Sequence, residues 1–134
     1  MIREGNLNDL ELINSLMSYF NINGYHEINN PFVKFIVYEV SNNIIGCIDY
    51  SFFDNRIEIN YIIVEEEYQH KGIATKMLEY MIEKCKTIDN ITLEVSTKNI
   101  KAINFYHKNG FIDVSIRKNY YSIGDDAIMM MRRF

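Results

Sequence analysis

The sequence predicts an α/β fold built on a mixed central sheet, with an antiparallel N-terminal meander, one βαβ crossover and flanking helices. Three observations carry this. Apolar runs at 32–40, 43–53 and 56–64 follow one another across "SNN" and "DN", turns short enough only for antiparallel hairpins. The pattern then becomes strand, helix, strand up to residue 97, as a right-handed parallel crossover requires. A last helix and two strands, 111–121 and 127–134, close the chain.

Taken in order, "MIRE" reads as a short first strand. In "NDLELINSLMSYF" (8–20), Leu10, Ile13, Leu16, Met17 and Phe20 recur at helical spacing, and Asn8 with Glu11 predicts a capping pair. Residues 21–31, "NINGYHEINNP", are loop-like and hold the single proline, Pro31. After the meander, Ile73, Met77, Met81, Ile82 and Cys85 predict a helix over about 72–86, and "ITLEVST" (91–97) a strand. Asn99 is placed to cap a helix over 100–109, and Gly110 to stop it in the left-handed region.

At 134 residues the chain is expected to be one domain, long enough to bury roughly two-thirds of its unfolded surface. Hydrophobic content of 48% and charged content of 24% fit a globular protein. Cys47 and Cys85 form no framework, so buried, reduced thiols in a cytoplasmic protein are expected. With three scattered histidines, no metal site is expected. A charged N-terminus and the lack of a long apolar run speak against a signal peptide or membrane span, and a net charge of −4 against nucleic acid.

The most informative stretch is "YQHKGIA" (68–74), where Gly72 and Ala74 fall at a strand-to-helix turn. A helix N-terminus presents unpaired N–H groups and about half a positive charge, enough to hold a phosphate. A tight connection would explain the same glycine, and neither a Walker loop nor a dinucleotide fingerprint is present. Gln69, His70, Lys71 and Lys76 could add donors. The acidic residues Asp49, Asp54, Glu58 and Glu65–Glu67 read as solvated.

Three ordered blocks decide between these readings. "VEEEYQHKGIATKMLEYMIEKC" resembles the signature segment of the GNAT acetyltransferase superfamily, Q/R-x-x-G-x-G/A. "ITLEVSTKNIKAINFYHKNGF" (91–111) is similar to its L-E-V…N…A-x-x-x-Y-x-x-x-G-F. "RKNYY" (117–121) and "GDDAIMM" (124–130) look like the C-terminal hallmark of protein N-terminal acetyltransferases, the bacterial ribosomal-protein alanine acetyltransferases included.

The resemblance implies acetyl-coenzyme A as cosubstrate and an amine acceptor, above all the α-amine of a protein N-terminus. It implies that the backbone of Gln69, His70, Lys71, Gly72, Ile73, Ala74 and Thr75 takes the pyrophosphate, and that Ile62, Ile63 and Val64 run beside the pantetheine arm. Asn99 and Tyr106 complete the cofactor set. Glu94 would be the general base, because the amine arrives as an ammonium, and Tyr106 the general acid for the departing thiolate. Tyr120 and Tyr121 would grip the acceptor. From alternation alone Glu94 could equally be solvent-facing, Tyr106 a packing residue, Tyr120 and Tyr121 ordinary strand aromatics, and Asp125 and Asp126 turn formers. The chain departs from the ribosomal branch in having no tryptophan and in its 21–31 segment, which keeps a small-molecule amine acceptor open. A non-catalytic acyl-coenzyme A-binding module is the third reading.

Overall fold

The computed structural model describes residues 1–20, 22 and 33–134; the expected loop at 21–31 lies outside them apart from residue 22. Seven strands form one sheet in the order β1-β2-β3-β4-β5-β7-β6. They are β1 (Ile2–Glu4), β2 (Val33–Val40), β3 (Asn43–Phe53), β4 (Arg56–Val64), β5 (Asn90–Ser96), β6 (Ile112–Ser122) and β7 (Asp125–Arg133). The helices are α1 (Leu10–Tyr19), α2 (Ile73–Lys84) and α3 (Ile100–Lys108). β1 to β4 pair antiparallel, β4 and β5 parallel, and β5, β7 and β6 antiparallel. This is the mixed α/β sheet with one crossover that the apolar pattern predicts.

The hairpin turns explain the meander. Ser41 and Asn42 (φ 50° and 65°) and Asp54 and Asn55 (φ 52° and 60°) all have positive φ, the backbone of two-residue turns whose twist matches that of the strands. Alternation along the strands then sorts the core into two layers. Ile36, Ile48, Ile57, Ile91, Leu93 and Met130 pack under α2 and α3 through Met77, Leu78, Met81 and Ile103. Their neighbours Val37, Cys47 and Ile63 point the other way, against Ile13, Leu16 and Met17 of α1. Burial pushes the Cys47 thiol up to about 12, so it stays protonated, and both cysteines are free and buried.

The start of the first helix differs from the expectation. Asn6, not Asn8, is the capping asparagine, and it caps a 3-10 turn ahead of α1, whose own N-cap position falls to Asp9: the Asn6 side chain accepts from Asn8 N (2.9 Å), and Asp9 Oδ2 accepts from Asn6 N (2.8 Å). A short 3-10 turn over Leu7–Asp9 precedes α1. The physical reason is Arg3, which donates to both Asp9 oxygens (2.7 and 2.8 Å) and to Glu39 (2.7 Å). Asp9 is thereby fixed at the turn rather than inside the helix. Among the described residues no helix is long and apolar enough to cross a membrane.

Candidate active site

The site begins where two strands part. The β4–β5 ladder runs from Arg56↔Asn90 to Ile59↔Leu93 and stops there. On the other side of β4, Tyr50 pairs with Ile59 and Asp49 with Tyr61, so Asn60 is an extra residue, a bulge. A bulge bends its strand and sharpens the twist, which turns β4 away from β5. Asn60 Nδ2 donates to Asp49 Oδ1 at 3.2 Å, holding the bulge from β3. Asp49 is therefore not on a solvated face: it is 5% exposed. Beyond the bulge, Ile62, Ile63 and Val64 keep their pairing to β3, and the β5 ladder supplies no partner on their other edge. A wedge with one free main-chain edge opens at the C-terminal ends of two parallel strands, the place where open α/β sheets take ligands.

The turn after β4 lies at this opening. Gln69 is extended, His70 has φ 63°, and Gly72, at φ 77°, stands in the capping position of α2. A Cβ on Gly72 would meet no protein atom within 4 Å, so the left-handed backbone, and not crowding, calls for glycine, and the approach to the turn stays open. No side chain caps α2 and no acid lies in its first turn. The first N–H groups of α2, on Ile73, Ala74 and Thr75, are thus left for an anion. Gln69 has another job: its Nε2 donates to Val64 O and its Oε1 accepts from Lys101 Nζ, both at 2.8 Å. It braces the strand end to α3. Lys71 lies over the Tyr68 ring at 5.6 Å. Asn99 caps α3, accepting from Ala102 N at 3.2 Å.

Lys101 went unnoticed in the sequence. Its place two residues after the α3 cap, on the same edge of the sheet as the 69–75 turn, is the signal that could have found it.

Glu94 is the first residue of β5 past the end of the β4 ladder. Leu93 (3% exposed) and Val95 (5%) are buried under α2 and α3, so Glu94 projects from the opposite face, as alternation predicts. Register places it with Met129 and Ser115, and two rows on, on the same face, stand Ser96, Ala127 and Arg117. Arg117 Nη1 reaches Glu94 Oε1 at 3.5 Å, while Glu94 Oε2 is buried with no hydrogen-bond partner among the described residues. The Tyr120 phenol sits beside this carboxylate, whose charge and hydrogen bond raise its pKa. Tyr120 and Tyr121 meet edge to face at 5.0 Å.

Tyr106 comes from the other side of the sheet. It is buried in the layer beneath α3, with Phe105 and Phe111 at 5.3 and 5.4 Å edge to face. Burial raises the pKa of its phenol, and Tyr121 adds to the shift. Tyr121 in turn is raised by burial and by Glu94. The base and acid candidates therefore lie on opposite faces of the sheet, with Tyr121 in electrostatic reach of both. Asp125 and Asp126 serve the β6–β7 turn, Asp125 accepting from Ser96 Oγ and Asp126 from Asn119 N at 2.8 Å.

A bare helix N-terminus, a free strand edge leading away from it and an unmatched carboxylate oxygen at the far end fit a long thioester with a diphosphate. Fold and cleft together define an acyl-coenzyme A-type acetyltransferase architecture. The chain belongs to the acetyltransferase (GNAT) family, whose model matches residues 7–111. Acetyl-coenzyme A is that family's cosubstrate, and one structural neighbour was crystallised with it.

Among relatives, the chain is 43% identical over 74 residues to an N-alpha-acetyltransferase of Saccharolobus solfataricus, covering 53% of this chain and 44% of that one. It is 31% identical over 110 residues to a candidate ribosomal protein bS18-alanine N-acetyltransferase of Bacillus subtilis, covering 79% and 73%. Against the first of these, then, the match spans less than half of the relative's length. The fold matches the ribosomal-protein-S18-alanine N-acetyltransferase of Escherichia coli with a TM-score of 0.88 at 21% identity, over 99% of this chain and 92% of that one.

Proposed function

We propose that the protein transfers an acetyl group from acetyl-coenzyme A directly to the α-amine of a protein or peptide N-terminus in the cytoplasm. The observation that carries this is Glu94 at the mouth of the wedge, with one oxygen buried and unmatched. Cosubstrate binding falls to the amides at the start of α2 and the free edge of Ile62–Val64, with Asn99 and Lys101 beside them. Glu94, directly or through one water, takes a proton from the acceptor's ammonium. The freed lone pair attacks the thioester carbon, and N–H groups of the 62–64 edge stabilise the charge that gathers on the carbonyl oxygen. As the C–N bond is completed and the C–S bond breaks, Tyr106 gives its proton to the leaving sulfur; the nitrogen sheds its second proton through water to the Tyr106 phenolate, and Glu94 passes its own proton to solvent. Tyr120 and Tyr121 hold the acceptor's first residues over Glu94.

The N-terminal acceptor is favoured by the "RKNYY" strand lying against Glu94 and by the names of the relatives. An acetylation screen of a free N-terminus peptide library, read by mass spectrometry, tests it. Expected is a 42 Da gain (the acetyl group) on the α-amine of a subset of peptides. Acetylation of small amines or polyamines alone would move the assignment to a small-molecule acetyltransferase. Binding of the cosubstrate with no acetylation of any amine would leave a non-catalytic binding module.

A further inference from the structure

We propose that Arg117 is a built-in stand-in for the acceptor: its guanidinium lies at Glu94 where the acceptor's ammonium would sit and must be displaced when the amine arrives. This rests on the transferase reading above and adds a specificity-determining residue to it.

Four observations converge. Arg117 and Glu94 share one face of the sheet, two register rows apart and two strands over. Their contact is an ion pair at 3.5 Å, beyond good hydrogen-bond length, and Arg117 is 54% exposed while Glu94 is only 21% exposed. The second Glu94 oxygen is buried without a partner. The Arg117 guanidinium also lies over the Tyr120 ring at 5.6 Å. A pair built for stability would bring two parallel hydrogen bonds to the carboxylate, the arrangement an arginine is shaped for. Here the carboxylate is met by a cation held loosely from the solvent side and by the Tyr120 phenol, with one oxygen still buried and unmatched among the described residues.

An incoming ammonium, free of the tether that holds Arg117 at 3.5 Å, could close on both oxygens and so displace the guanidinium where a neutral ligand could not. Because an exposed pair is weak, displacement is easy. The register slips between Arg117 and Ser122, and Asn119 has φ 54°, so Arg117 starts an irregular stretch rather than sitting inside a regular ladder. The consequence is selectivity for acceptors that enter as cations, with Arg117 withdrawing toward solvent over Tyr120.

Initial rates with the free-amine form of a peptide that the library screen finds acetylated test this in Arg117→Met and Arg117→Lys. Removing the competing cation should lower the acceptor KM about two- to fivefold, with KM for acetyl-coenzyme A unchanged. Arg117→Lys should keep the acceptor KM near that of the parent chain. A merely structural role would move melting temperature without splitting the two KM values. An acceptor KM that rises in Arg117→Met would make Arg117 an acceptor contact, and one that stays put would make the pair idle; either overturns the proposal. Absence of turnover in the parent chain itself would instead sink the transferase reading, and this inference with it.

Discussion

Glu94→Gln is expected to lower turnover by about 10²-fold or more while leaving affinity for acetyl-coenzyme A within about twofold of the parent. The substitution keeps the shape of the side chain and removes only its capacity to accept a proton. Glu94 lies past the end of the β4–β5 ladder on the face away from α2 and α3, so the change does not reach the core layer or the 69–75 turn. Stability should not suffer. An amide can serve its unmatched buried oxygen no worse than a carboxylate does, and the Arg117 guanidinium it leaves behind is 54% exposed and free to take water. Single-turnover rates and calorimetric binding separate the two effects. Full activity in Glu94→Gln would assign proton removal elsewhere.

Tyr106→Phe should reduce turnover by about 10²-fold, again with cosubstrate affinity kept. The ring is wedged between Phe105 and Phe111, and phenylalanine retains that packing, so the variant should fold and melt near the parent. What disappears is the proton offered to the departing sulfur. Burial, with Tyr121 second, raises the phenol's pKa above its usual value near 10. The sign follows directly: Tyr106 keeps its proton throughout the assay range, so it is always charged with the proton it must give. Loss of rate in alkali should not track its ionisation. A Tyr106→Phe chain that turns over at the parent rate would reduce Tyr106 to a packing residue.

Much of this architecture is legible in the chain. Alternation places Leu93 and Val95 in the core and Glu94 opposite, and the Ser41-Asn42 and Asp54-Asn55 pairs announce hairpins because those residue types tolerate positive φ. The spacing of Met77 and Met81 gives the buried face of α2. What stays hidden depends on pairing between distant segments. The Asn60 bulge leaves no mark in "RIEINYIIV", where apolar residues continue through it, yet it opens the wedge and buries Asp49. The choice of Asn6 over Asn8 as cap rests on Arg3, which reaches Asp9 only once β1 joins the sheet. The Gln69 side chain looks like a ligand donor in sequence, and the structure gives it a bond to Lys101, a residue 32 positions on. Arg117 stands beside Glu94 only through the β5-β7-β6 register.

The account rests on main-chain amides at the start of α2 gripping a diphosphate, and calorimetry with matched thioesters tests that most directly. Acetyl-coenzyme A is compared with S-acetyl-4′-phosphopantetheine and with S-acetylpantetheine, two fragments that differ only in one phosphate. Acetyl-coenzyme A should bind tightest, and the phosphorylated fragment at least about tenfold more tightly than the other, the scale of a charge-assisted hydrogen bond to bare amides. Equal affinity for the two fragments, or no heat with acetyl-coenzyme A, would contradict it.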